Sequence, residues 1–215
     1  MSRFTLILVI ILSGHYALSQ CERNAMIGKS ELCLPSIPGM TECYQHPDIQ
    51  KVANSLKAPG TTTIGIYFTE KQYNNLYSVD QFNDYILVYT VTETIDRAFS
   101  PDMLSVVADG LIGDFVKTKW NLASSEFERR LPSLQMQRPV IVEEYKINSR
   151  IQTSIIMTPM VMNDQTTYLL IAINFLSMND RLVCFGTYLG YEGQKSVSAL
   201  KGRNDYFAMK IQRMN

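Results

Sequence analysis

The sequence predicts an α+β sandwich: an antiparallel β-sheet of about six strands flanked by helices, preceded by an irregular, disulfide-clasped N-terminal segment. Three observations predict it. Runs rich in β-branched and aromatic residues recur with short, turn-rich joints between the later ones, as in antiparallel hairpins. Two segments carry apolar residues at helical spacing. The order is strands, a helix, a strand meander and a closing helix, and such segregation favours helices laid on an antiparallel sheet.

The first nineteen residues read as a secretory signal, with Arg3, the apolar run Leu6 to Leu12, and small residues at Ala17 and Ser19 before a cleavage point. That apolar run is far short of the roughly 20 residues needed to span a bilayer. No later segment reaches that length, so no transmembrane span is expected after cleavage. Leu18-Ser19-Gln20-Cys21 also resembles a lipoprotein box, although Gln20 stands where a small residue is usual. A lipid anchor on Cys21 is therefore the alternative to a freely secreted or periplasmic protein.

Residues 20–60 form the cysteine-containing clasp. Cys21, Cys33, Cys43 and Cys184 give an even count, which in an exported chain suggests two disulfides. Cys33 and Cys43 flank Pro35, Pro38 and Gly39, and that pair is the preferred bridge, contributing on the order of 2–3 kcal/mol. Cys21 with Cys184 would complete the set; a free buried thiol at Cys184 is the alternative. Pro47 opens a helix reaching about Lys57, with Val52 and Leu56 facing inward, and Ala58-Pro59-Gly60 stops it.

Residues 61–215 form the sandwich domain. Thr61 to Thr69 alternates Ile64, Ile66 and Phe68 as a half-buried strand does, and Tyr85 to Thr92 is β-branched and aromatic. Ser100-Pro101-Asp102 reads as a helix start with a capping hydroxyl. The stripe Leu104, Val107, Ala108, Leu111, Phe115 then carries a helix to about Trp120. Gly110 and Gly113 either weaken it by about 1 kcal/mol each or permit close packing. Strand-like runs follow at Pro139 to Ile147, Arg150 to Met162, Thr166 to Leu176 and Arg181 to Leu189. Alternation in the second places Met160 and Met162 on one face and Met157 on the other. A final helix begins near Gln194, with Val197, Leu200, Phe207 and Ile211 on its inner side.

The Ser100 to Leu104 helix start, the meander to Leu189 and the C-terminal helix from Ser196 to Asn215 resemble the PsbP-like superfamily of α/β sandwiches. Its members include a photosystem II extrinsic subunit, a Ran-GTPase release factor and DcrB-type envelope lipoproteins. The resemblance covers about Thr61 to Asn215 in element order and texture, without a diagnostic motif. It implies a non-enzymatic binding or assembly role and carries over no functional residue.

Composition narrows the function classes. With 20 basic and 20 acidic residues among 215, the chain has no basic excess of the kind nucleic-acid binding requires. His46 is the one histidine past the signal, it precedes Pro47, and nothing beside it marks it as a general base. Gly110-Leu111-Ile112-Gly113 lacks the ending of a phosphate loop, and no paired His/Cys spacing suggests zinc. Glu143 and Glu144 are adjacent on a strand and point to opposite faces. Glu126 and Glu128 would share a face only in an extended segment, and Arg129-Arg130 beside them suits a charged loop. No catalytic, cofactor or metal residue is assigned, and no cofactor is expected.

Tyrosine is the suggestive residue, because it offers a flat apolar face and a polar tip. Tyr67, Tyr85, Tyr89 and Tyr188 are the binding-surface candidates, with core-bordering tyrosines as the alternative. The expected function is an exported, non-enzymatic binding or assembly protein docking to a protein partner in the envelope or outside the cell. A small apolar-ligand carrier and a carboxylate-dependent hydrolase are the other classes. No Asn-x-Ser/Thr site follows the signal, so N-glycosylation is not expected.

Overall fold

A computed structural model of the chain describes residues 21–74, 83–114, 116, 120, 121, 124, 125, 129, 134–162 and 165–215. The segment expected to be a secretory signal, Tyr77, Phe115, Glu126, Glu128 and Arg130 lie outside the described residues.

The chain enters through a hairpin, β1 (Cys21–Ile27) and β2 (Ser30–Pro35), then β3 (Met40–Glu42) and α1 (Pro47–Leu56). Next come β4 (Thr61–Thr69), α2 (Glu70–Asn74), β5 (Asp84–Val91) and α3 (Leu104–Asp114). The meander is β6 (Leu134–Met136), β7 (Val140–Asn148), β8 (Ile151–Met162), β9 (Gln165–Met178) and β10 (Arg181–Gly190), closed by α4 (Gln194–Met214). The main sheet is antiparallel and has eight strands, ordered β3-β4-β5-β10-β9-β8-β6, with β7 also paired to β8. The two strands beyond the expected six are the three-residue β3 and β6, too short to show alternation.

Alternation along these strands makes two apolar faces. One carries Tyr67, Ile86, Val88, Phe185 and Leu176, and α4 lays Phe207, Ala208 and Ile211 across it. The opposite face carries Ile66, Phe68, Tyr85 and Leu87 beneath α1, and Phe175, Leu182 and Cys184 beneath α3. Met157 packs on the first face and Met160 on the second, as alternation requires.

The N-terminal clasp is more regular than its turn-rich sequence suggests. Gly28 takes φ +58 at the hairpin turn, and a side chain there would collide with the Ile95 carbonyl. Ala25, Ile27, Leu32 and Leu34 join the α4 core, and β3 pairs with β4. The C-terminal residue closes on the same hairpin. Cys33 N–H donates to Asn215 Oδ1 at 2.7 Å, and Asn215 Nδ2 donates back to the Cys33 carbonyl at 3.0 Å.

The preferred Cys33–Cys43 bridge is corrected. In the β1–β2 hairpin Cys21 pairs with Pro35 and Cys33 with Asn24, but the register slips after Cys21, the Cα atoms of Cys21 and Cys33 lie 5.4 Å apart, and these two form the disulfide. Cys43 and Cys184 are free and buried, so a Cys21–Cys184 bridge is excluded as well. Cys43 instead turns toward Ile49, Ala53 and Ile66 beneath α1. The Cys21 sulfur that a lipid anchor would need is the one held in the bridge, so the two are alternatives.

Two helix details also differ. In α1 it is Ile49 and Ala53 that are fully buried, while Val52 and Leu56 border the cluster. Ser100 caps through its backbone: its carbonyl accepts from Met103 N–H, a 3₁₀ turn spans Pro101–Met103, and its hydroxyl makes no cap bond.

Candidate functional site

Of the four candidate tyrosines, the fold gathers three and separates one. Tyr85 and Tyr188 are direct cross-strand partners on β5 and β10, and their rings stack at 4.2 Å with planes 10° apart. Tyr188 can lean there because its ring lies over Gly186, where a Cβ would come within 2.7 Å of it. Tyr89 opposes Cys184 further along the same pair of strands. Burial pushes the Tyr85 and Tyr89 hydroxyls well above the ordinary tyrosine range, and Tyr188 up to about 12. Burial alone raises the Cys184 thiol.

Tyr67 lies on the other face. Its ring meets Phe207 edge-on at 5.2 Å, and its hydroxyl donates to the Pro35 carbonyl at 3.0 Å. Tyr67 and Tyr85 are buried, so neither presents a docking surface in this fold, while Tyr89 and Tyr188 are half-buried. The reason is their place on central strands, where both faces are covered.

The exposed aromatic side chains are others. Tyr168 on β9 and Tyr191 after β10 form an edge-to-face pair, with ring centroids 6.4 Å apart. Tyr191 N–H donates to the Tyr168 carbonyl at 2.8 Å, which fixes the backbone under both rings. They are 42% and 39% exposed, and the preceding residues Gln165, Thr166 and Thr167 are exposed too. The signal that could have found them is adjacency of turn chemistry: Tyr191 sits beside Gly190 and Gly193, at a strand end.

Inside, polar groups are tied to one another. Asn174 and Asn204 exchange amide hydrogen bonds at 2.6 and 3.0 Å between β9 and α4. Thr153 donates to Asn174 at 2.7 Å and Thr187 to Asn204 at 3.0 Å. Tyr145 donates to Asp205 at 2.8 Å, and burial followed by that carboxylate raises its pKa. A second network clamps the hairpin. Arg23 donates to both oxygens of Glu42, at 2.6 and 3.1 Å, and to the Ile64 carbonyl. Glu42 in turn accepts from the Tyr44 and Ile66 amides.

Grooves of about 350 and 290 Å³ flank this clamp, the first lined by Arg23, Glu31, Tyr44 and Thr63, the second by Glu22, Cys43, His46 and Tyr73. Glu143 pairs with Lys201 at 2.6 Å and Glu144 accepts from Ser154, so the two carboxylates do diverge. Among the described residues, no three His, Cys, Asp or Glu side chains gather as a metal site, and no helix is long and apolar enough to cross a membrane.

These features define an α+β sandwich with Thr153, Asn174, Thr187 and Asn204 bonded to one another in its core and an aromatic pair displayed at a strand end. No family model matches the chain, and no curated protein matches it. Among solved structures, it is similar to the 1.9 Å crystal structure of the Saccharomyces cerevisiae Ran-binding protein Mog1p. The two share 11% identity at a TM-score of 0.35, over 86% of this chain and 84% of that chain. At that overlap the likeness transfers neither residues nor partner.

Proposed function

We propose that this chain is an exported, non-enzymatic binding protein that docks on a protein partner through Tyr168 and Tyr191. One observation carries the reading: two exposed tyrosines, fixed edge-to-face on hydrogen-bonded backbone. Aromatic anchors held in place before contact lose little freedom on binding, and tyrosine is enriched at such centres. The signal-like N-terminus and the Cys21–Cys33 bridge support export, since disulfides persist in oxidising compartments. Export is tested by the intact mass of native material, which also separates a free N-terminus from a lipidated Cys21.

Of the tyrosines and methionines that would line an apolar-ligand carrier, Tyr85 and Tyr188 stack on one another and Met160 packs against Ile156, Leu169 and Ile171. Docking is tested with a photo-cross-linker at Ser198, on the exposed side of α4, in the native host. The expected result is a stoichiometric adduct that is lost in the Tyr168→Ala, Tyr191→Ala double variant. An adduct unchanged in the double variant refutes docking through this pair.

A further inference from the structure

Strand β7 is an edge strand, and among the described residues it pairs with β8 alone. Its second half is guarded in the usual ways. Glu143, Glu144 and Lys146 place charge there, and the register slips between Ile141 and Glu143 and again between Lys146 and Asn148. The first half carries no charge from Val140 to Val142, and the first of these slips falls at Val142 itself. Val140, Ile141 and Val142 are consecutive, on both faces of the strand, and 53%, 42% and 44% exposed. An open edge with three exposed apolar residues is a template for another strand.

We infer that this edge pairs with the same edge of a second copy of the chain, antiparallel about a two-fold axis at Ile141. The sequence is complementary to itself in that register. Ile141 meets its symmetry mate, Val140 meets Val142, and Arg138 on one side meets Glu144 on the other. Both charges are exposed. They also share a face. Glu144 opposes Ser154 and Ile141 opposes Ile156, while Arg138 Nε donates to the carbonyl of Val116, which packs in the α3 cluster over that same face. The axis repeats the ion pair, so one apolar centre is flanked by two opposite-charge contacts. A register centred at Val142 would set Val140 against Glu144 and Arg138 against Lys146, and one centred at Glu144 would place that carboxylate on itself.

Sedimentation velocity of the full chain, run over a range of protein concentrations, tests this. A monomer–dimer equilibrium is expected, with Ile141→Lys weakening it by about tenfold or more. Arg138→Glu and Glu144→Arg should each weaken it, and the double reversal should restore it. Ile141→Cys should give a disulfide-linked dimer on mild oxidation, because directly opposed strand residues lie about 4.5–5.5 Å apart at Cα. Far-UV circular dichroism of each variant confirms that this exposed position leaves the fold intact. A monomer at every concentration without cross-linking overturns the inference. So does a dimer that Ile141→Lys leaves unchanged, or capture of the edge by a different protein with no self-association.

Discussion

Replacing Asn204 by alanine should cost this protein about 2–4 kcal/mol, although Asn204 touches no exposed surface. The side chain is fully buried at the seam between α4 and the sheet. Its Oδ1 accepts from Asn174 Nδ2 at 2.6 Å and from the Thr187 hydroxyl at 3.0 Å. Its Nδ2 donates to Asn174 Oδ1 at 3.0 Å and to Asp205 Oδ1 at 3.3 Å. Asn174 would survive truncation with partners left, since it still donates to the Ala172 and Phe185 carbonyls and accepts from Thr153. Thr187, itself fully buried, would lose its acceptor. A buried polar group left unpaired costs about 1–3 kcal/mol, and the lost bonds to Asn174 and the small cavity add about 1 kcal/mol more.

Urea unfolding of the wild type and Asn204→Ala measures the difference directly, provided the slope is unchanged. By heat, the loss corresponds to a drop of about 2–4 °C per kcal/mol for a chain of this size. A double-mutant cycle with Asn174→Ala should show coupling, because the residues form one network. A loss below about 1 kcal/mol at unchanged slope, or strict additivity, would show that the network does not hold α4 in place.

Four other outcomes follow from the geometry. Titration with a thiol reagent should find Cys43 and Cys184 unreactive in the native protein and both reactive in denaturant, while Cys21 and Cys33 react only after reduction. Reduction of that bridge should lower stability by about 2–3 kcal/mol in urea, as the model-dependent entropy of so short a loop predicts. Gly202→Ala should raise the midpoint: the position is exposed inside α4, nothing lies within 4 Å of the added Cβ, and alanine gains about 0.5–1 kcal/mol there. Stability should fall with rising pH above the ordinary thiol and tyrosine range. Burial raises Cys43 to about 11 and Tyr188 to about 12, so the folded state holds protons that the unfolded chain releases first, and urea midpoints taken at successive alkaline pH values should decline.

Much of the sheet was legible because long strands alternate. The expected strand from Thr61 to Thr69 matches β4, and the last three strands and both the first and last helices fall within a few residues of expectation. The N-terminal hairpin was not legible, because its outer positions are mostly polar, Met26 excepted, and its turn-rich composition reads as loop. Its inward residues gain their meaning from α4, more than 170 residues away. The disulfide failed for the same reason: spacing favours Cys33 with Cys43, but strand pairing decides which sulfurs meet. The tyrosine cluster was half legible. Tyr85, Tyr89 and Tyr188 do converge, yet periodicity cannot say that both sheet faces are covered.

Asn174 and Asn204 carry a lesson about reading polar residues in apolar surroundings. Each interrupts an apolar pattern, Asn174 in the run from Tyr168 to Leu176 and Asn204 between Leu200 and Phe207 on the inner stripe of α4. Alone, each reads as a defect that costs stability. Together they are each other's partner, and a slide of α4 by one turn would leave both amides unpaired in the core. Asn215 fixes the far end of the same helix to β2, next to the Cys21–Cys33 bridge. The register of α4 is thus specified twice, once at the sheet and once at the hairpin. A helix held so firmly keeps the strand end that carries Tyr191 in fixed relation to Tyr168, as the proposed docking through this pair requires.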